Sequence, residues 1–159
     1  MAVELRKEHQ WLGRMAGEWS FEMEAEGEPG QPPIKDAGTE SVRSVGGVWA
    51  MCEGRGTTPD GDDATSIMTL GYDPDRQRFT GTFIGSMMTH MWIYEGRMDA
   101  AGNVLTLDTE GPAYTGEGMM KYRDTIEIRD DDHRVHTSSY QKDDGSFHPF
   151  MTVHYRRTK

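Results

Sequence analysis

The segment Gly-Glu-Trp-Ser-Phe-Glu-Met-Glu-Ala at residues 17–25 alternates apolar and polar side chains, and this alternation decides the fold. The apolar positions are Trp19, Phe21, Met23 and Ala25, and the polar positions between them are Ser20, Glu22 and Glu24. A period of two places the two sets on opposite faces of a β-strand. The segment therefore predicts a half-buried strand with an acidic outer face.

Upstream of this strand, residues 4–16 show the helical period instead. Leu5, His9, Leu12 and Ala16 recur at helical spacing, and charged or amide side chains occupy the opposite side. We expect Gly17 to end this helix. The sequence therefore predicts a short N-terminal helix that leads directly into the first strand.

Downstream, alternating segments and turn-forming residues follow each other at intervals of roughly 8–12 residues. The further strands are expected at residues 39–45, 48–55, 66–72, 78–84, 88–98, 104–109, 121–129, 134–142 and 147–157. Many short strands with even spacing are typical of a meander that closes on itself. We therefore expect an all-β fold in which residues 1–159 form one domain, an antiparallel up-and-down β-barrel of about ten strands with a short N-terminal helix.

Charge and hydropathy exclude several classes of partner. The formal net charge is −10, and such a negative field repels phosphate backbones, so we expect no nucleic-acid binding. The chain has no apolar run of about 18 residues and no signal-peptide pattern, so we expect a cytoplasmic protein without membrane contact. Cys52 is the single cysteine and is expected to be a buried, inert thiol.

Two features resemble the calycins, the group that includes lipocalins and fatty-acid-binding proteins. The triplet Gly17-Glu18-Trp19 enters the first strand just after the helix, and Arg156-Arg157 ends the last strand. In lipocalins such a tryptophan packs at the closed end of the barrel under a late arginine. The resemblance implies that Arg156, or else Arg157, lies against Trp19 and joins the first strand to the last.

A second resemblance covers most of the chain. It is to a bacterial family of lipocalin-like domains called domain of unknown function fifteen seventy-nine. The matching segments include residues 12–19, 29–30, 45–47, 70–73, 80–87, 96–99 and 153–156. The family often has Trp and Asp where Phe83 and Gly85 stand here. The resemblance implies a lipocalin-like fold and brings no catalytic residue with it.

The densest chemistry lies in residues 86–94. If this segment is a strand, one face carries Met88, His90, Trp92 and Tyr94, and the other carries Met87, Met91 and Ile93. Only 35% of the residues are hydrophobic, so leaving the large indole of Trp92 in water would waste driving force. We therefore expect Met88, His90, Trp92 and Tyr94 to face the barrel interior as a ligand-binding wall, with ordinary core packing as the alternative.

Four hypotheses for function follow. The first is the binding of a small apolar or amphipathic molecule, entering near the loop at residues 111–118. The second is an enzyme in which His90 and Tyr94 form an acid–base pair. The third is a packed-core module that forms a homodimer or binds a protein partner.

The fourth hypothesis is haem binding through His148 or His154, by analogy with the nitrobindins, another calycin-like family. The spacing of the histidines does not match a metal site, and no nucleophile motif is present. We therefore assign no catalytic residue, no metal ligand and no cofactor from the sequence.

Overall fold

The computed structural model describes residues 2–159, which form a closed barrel of ten antiparallel strands preceded by one α-helix. The elements are α1 Lys7–Gly13, β1 Gly17–Ala25, β2 Ile34–Val45, β3 Trp49–Thr57, β4 Asp63–Asp73, β5 Arg78–Gly85, β6 Trp92–Met98, β7 Val104–Pro112, β8 Met119–Asp130, β9 His133–Gln141 and β10 Phe147–Arg157. Each strand pairs with its neighbours in chain order, and β1 pairs with β10 to close the barrel. The predicted fold class is therefore confirmed. Within the described residues, no helix is long and apolar enough to cross a membrane.

The N-terminal helix is shorter than residues 4–16. Leu5 lies before it and is 50% exposed, and Gly17 is the first residue of β1. After Gly13 the backbone N–H groups of the next three residues bond to carbonyls three positions back. These tight turns end the helix early and carry the chain into β1. The buried side of this segment consists of His9, Trp11, Leu12 and Met15.

The strand expected at residues 88–98 begins only at Trp92. The N–H of Met88 bonds to the carbonyl of Gly85, which closes a turn directly after β5. Residues 86–91 therefore form a loop at the open end of the barrel. For Met88 and His90, the predicted place on a strand face was wrong.

The helix covers one end of the barrel, which we call the closed end. Trp11 Nε1 donates to the carbonyl of Gly102 at 2.9 Å, and His9 Nε2 donates to the carbonyl of Tyr72 at 3.0 Å. Both acceptors lie at or near the closed-end turns that join pairs of strands. These bonds satisfy the ring N–H groups of Trp11 and His9 where the helix covers the closed end.

Barrel closure uses Arg157 where Arg156 was the first expectation. Trp19 of β1 lies directly opposite Arg157 of β10, so their side chains share the inner face of the wall. The guanidinium of Arg157 covers the Trp19 ring. Arg156 is one residue earlier and therefore points outward, where it is exposed.

Candidate functional site

The barrel interior changes character between its two ends. In the closed half the inward side chains are sealed, with Leu70, Leu105 and Leu107 at 0% exposure. In the open half the inward side chains stay partly accessible, and they include Phe21, Met23, Phe83, Trp92 and Met151. We call the space that these inward side chains surround, at the end of the barrel opposite the helix, the lumen.

Aromatic rings follow one side of this lumen in an unbroken series. Ring centres are separated by 4.8 Å between His90 and Trp92, 5.0 Å between Trp92 and Tyr122, 6.3 Å between Tyr122 and Phe150, and 5.9 Å between Phe150 and Tyr140. The first two contacts are edge-to-face, the geometry that aromatic quadrupoles prefer. We call these five residues the aromatic arc.

Backbone and sulfur contacts hold the arc in place. The Trp92 ring rests against Gly111, where any Cβ atom would overlap it. Trp92 Nε1 donates to Met88 Sδ at 3.2 Å, and Tyr122 Oη donates to the carbonyl of Pro112 at 2.7 Å. Glycine is therefore required at residue 111 by a close approach of the indole.

A polar group lies on the inward face beside the arc. Tyr94 Oη donates to Asp124 Oδ2 at 3.0 Å, and His136 Nε2 lies 3.2 Å from the same oxygen. The three residues come from β6, β8 and β9 and are 4%, 8% and 9% exposed. The side chains of Asp124 and His136 each keep 11% of their surface accessible. We call Tyr94, Asp124 and His136 the lumen triad.

The lumen triad fixes the protonation state of the phenol. Burial, and then the charge and hydrogen bond of Asp124, raise the pKa of Tyr94 well above its usual range. Tyr94 therefore stays neutral and acts as a hydrogen-bond donor to the carboxylate. The partner of Tyr94 is Asp124, so the structure does not bring together the His90–Tyr94 pair of the enzyme hypothesis.

Nearer the closed end, a buried ion pair occupies the interior. The Arg134 guanidinium contacts the Glu40 carboxylate and lies 3.8 Å from the centre of the Tyr155 ring. The Arg134 side chain is only 2% exposed. Its charge is therefore matched by a carboxylate and sealed away from the lumen.

The structure places two of the four predicted ligand-binding residues on a strand and the other two in a loop. Tyr94 and Trp92 lie on β6 and face inward, whereas Met88 and His90 lie in the loop at residues 86–91. His90 still contacts the Trp92 ring, and its Nε2 atom is buried without a partner among residues 2–159. The residues expected to face away, Met87, Met91 and Ile93, are 51%, 53% and 64% exposed.

Sequence reasoning missed Asp124 and His136. The strand alternation could have identified Asp124, because this residue stands between the inward positions Tyr122 and Ile126 of one strand. A carboxylate at an inward position needs partners, and this requirement marks it as a site candidate. His136 carries the same signal on β9, where it lies between inward Arg134 and Ser138.

A groove of about 1060 Å³ follows β1 between β2 and β10. Its lining combines outward side chains, such as Glu22 and Lys35, with inward residues of the open half, such as Met23 and Met151. Beside it, His133 Nε2 and His154 Nδ1 are 3.1 Å apart, and burial, then Arg156 and His154, lower the pKa of His133.

The two histidines of the haem hypothesis are engaged elsewhere than in the lumen triad. His148 Nε2 lies 2.6 Å from the Glu26 carboxylate, and His154 contacts His133. No group of three or more His, Cys, Asp or Glu side chains within residues 2–159 is arranged to hold a metal ion.

Fold and interior together define a lipocalin-like antiparallel barrel with an accessible, aromatic-lined open half. The chain belongs to the family described as Protein of unknown function (DUF1579), whose model matches residues 4–157. No curated protein matches this sequence.

Solved structures with the same fold come from distant sequences. Rv2717c from M. tuberculosis is 14% identical with a TM-score of 0.66, and covers 98% of this chain and 100% of its own. The S-type phycobiliprotein lyase CPES from Guillardia theta is 13% identical with a TM-score of 0.62, over 99% of both chains. The barrel EF1p2_mFAP2b, solved bound to DFHBI, is 14% identical with a TM-score of 0.50, over 95% of this chain and 99% of its own. At these identities the likeness concerns the fold alone.

Proposed function

We propose that this protein binds a small amphipathic molecule in the open half of the barrel. The observation that carries the proposal is the pairing of accessible, inward aromatic rings with a polar group beside them on the same inner surface. The aromatic arc would contact the apolar body of the ligand, and the lumen triad would contact its polar end. A largely apolar pocket with a few placed polar groups is the usual composition of a small-molecule site.

The energetics favour an occupant of this kind. Apolar surface that a ligand removes from water contributes about 25 cal/mol per Å². Trp92, Phe83 and Phe21 keep such surface while facing inward. The closed half supplies the core that holds the barrel together, so the open half does not need to be filled for stability. The DFHBI-bound barrel supports the proposal only in that this architecture accommodates a small molecule.

A probe titration with a matched pair of variants tests the proposal. The probe is N-phenyl-1-naphthylamine, whose emission rises when it leaves water. Ser66 faces inward in the open half, with Oγ directed at the space above Gly54, whereas the next residue, Ile67, faces outward. Ser66→Phe places a ring in the lumen, and Ile67→Phe places the same ring outside.

We expect the wild type and Ile67→Phe to bind the probe equally, and Ser66→Phe to bind at least about ten-fold more weakly. Circular dichroism establishes that both variants are folded. Trp92 emission should shift on binding, and Trp92→Phe identifies its share of the signal. Absence of any probe binding by the wild type, or equal binding by both variants, would contradict a lumen site.

A further inference from the structure

We infer that the ligand presents a hydrogen-bond donor, an amine or a hydroxyl on an aromatic body, and that the lumen rejects carboxylates. This inference rests on the proposed function and names the chemistry of its ligand. It follows from the unused hydrogen-bonding capacity of the lumen triad and from the charges that face the interior.

The triad offers an unused carboxylate oxygen to the lumen. Asp124 Oδ2 already accepts from Tyr94 Oη and His136 Nε2, while Asp124 Oδ1 has no partner among the hydrogen bonds of residues 2–159. His136 Nδ1, the other nitrogen of the ring, also has no hydrogen-bond partner among residues 2–159. The Asp124 and His136 side chains each keep 11% of their surface accessible on the inner face, where a ligand in the lumen would meet them.

The charged side chains on the inner face also favour a hydrogen-bond donor over a carboxylate. Glu40 and Arg134 cancel each other below the triad. In the open half, Asp36 adds a second carboxylate, which bonds to Thr57 and lies beside the inward position of Gly56. The basic residues of this half occupy outward positions of their strands, at Lys35, Arg55, Lys121 and Arg123. Among residues 2–159, the open half therefore turns carboxylates inward and its lysine and arginine side chains outward, which gives the lumen a negative character.

These features discriminate between polar groups of equal size. A carboxylate placed beside Asp124 would meet a like charge in a partly dry site and would lose its own hydration. An ammonium or hydroxyl group would instead donate to the carboxylate, and bonds to a charged partner are the stronger kind. The rings of the arc contribute further, because the face of an aromatic ring attracts cations and its edge packs on other rings.

Four naphthalenes that differ only in one substituent test the inference. They are 2-naphthylmethylamine, 2-naphthalenemethanol, 2-methylnaphthalene and 2-naphthoate, each measured by displacement of N-phenyl-1-naphthylamine at neutral pH. We expect the amine to bind about ten-fold more tightly than the methyl compound, the alcohol to lie between them and the naphthoate to bind most weakly.

Two variants test whether the lumen triad causes the order of affinities among the four compounds. Asp124→Asn removes the inward charge, and we expect the advantage of the amine to fall below about three-fold while the methyl compound binds as before. Asp108→Asn removes an outward carboxylate that pairs with Arg97 and Arg123, so it controls for the overall negative field. It should leave the order unchanged.

The outcomes separate the two proposals. Equal affinity for all four compounds, or tightest binding of the naphthoate, overturns the donor inference while the lumen remains a binding site. Failure of the probe itself to bind the wild type overturns the lumen as a site. If Asp124→Asn does not fold, the order of the four compounds on the wild type still decides the inference.

Discussion

The guanidinium carbon of Arg157 lies 4.3 Å from the centre of the Trp19 ring, where the last strand of the barrel meets the first. Trp19 is 3% exposed and donates from Nε1 to the carbonyl of Met15 at 2.9 Å. Arg157 donates to the carbonyls of Arg14, Ala16 and Asp131. The two side chains thus join the N-terminal segment, β1, β10 and the turn after β8 at the closed end.

Trp19→Ala is expected to lower the free energy of unfolding by about 3–5 kcal/mol, because it deletes a core aromatic side chain and leaves a cavity. Denaturant unfolding measures this loss. Trp49→Ala is the matched control, since Trp49 is 45% exposed on the outer wall and should cost about 1 kcal/mol. A loss below about 1 kcal/mol for Trp19→Ala would show that this tryptophan does not anchor the barrel.

Replacement of the two adjacent arginines should give different results. Arg157→Ala removes three hydrogen bonds to carbonyls and the contact with Trp19, so we expect a loss of about 2 kcal/mol. Arg156→Ala removes an exposed side chain and should stay within about 0.5 kcal/mol of the wild type. Thermal and urea unfolding of both variants checks the order, and equal losses would contradict the assignment of barrel closure to Arg157.

Replacement by alanine at two glycines should change the free energy of unfolding in opposite directions. Gly111→Ala forces the Trp92 indole to move, and we expect a loss of about 1–3 kcal/mol together with a changed Trp92 emission. Gly13 ends the helix, and a Cβ there meets nothing within 4 Å, so Gly13→Ala should stabilise by about 0.5 kcal/mol. A neutral Gly111→Ala with unchanged emission would mean that the indole does not depend on this contact.

The lowered pKa of His133 predicts a loss of stability in acid. Burial and the charge of Arg156 hold the folded-state pKa below the ordinary value of 6.5, so the unfolded chain takes up the proton first. Stability contributed by the neutral ring is fully present above pH 6.5 and is lost progressively as the pH falls from 6.5 through the lower folded-state pKa. Unfolding free energies at pH 8 and pH 5 should differ less in His133→Gln than in the wild type.

Histidine NMR titration checks the same group directly. The His133 resonance should titrate with a midpoint below 6.5. A midpoint at or above that value would contradict the effect of the Arg156 and His154 neighbours.

Part of the site followed from the period of two and part did not. Trp92 and Tyr94 face inward as the alternation predicts, because both lie on β6. The same argument was wrong for Met88 and His90, because a turn at Gly85 ends the strand pattern that the apolar run suggested. Periodicity assigns faces only within a strand, and it does not locate the strand's first residue when apolar side chains continue into the loop.

The sequence by itself determined the all-β class, the ten strands with their approximate positions and the inward side of β1. These features depend on local alternation and turn residues, which act between near neighbours in the chain. Only the tertiary structure decided that Arg157 rather than Arg156 meets Trp19, because that choice depends on the register between the first and last strands. It also decided that Tyr94, Asp124 and His136 converge, since they come from three strands whose pairing depends on closure of the whole barrel.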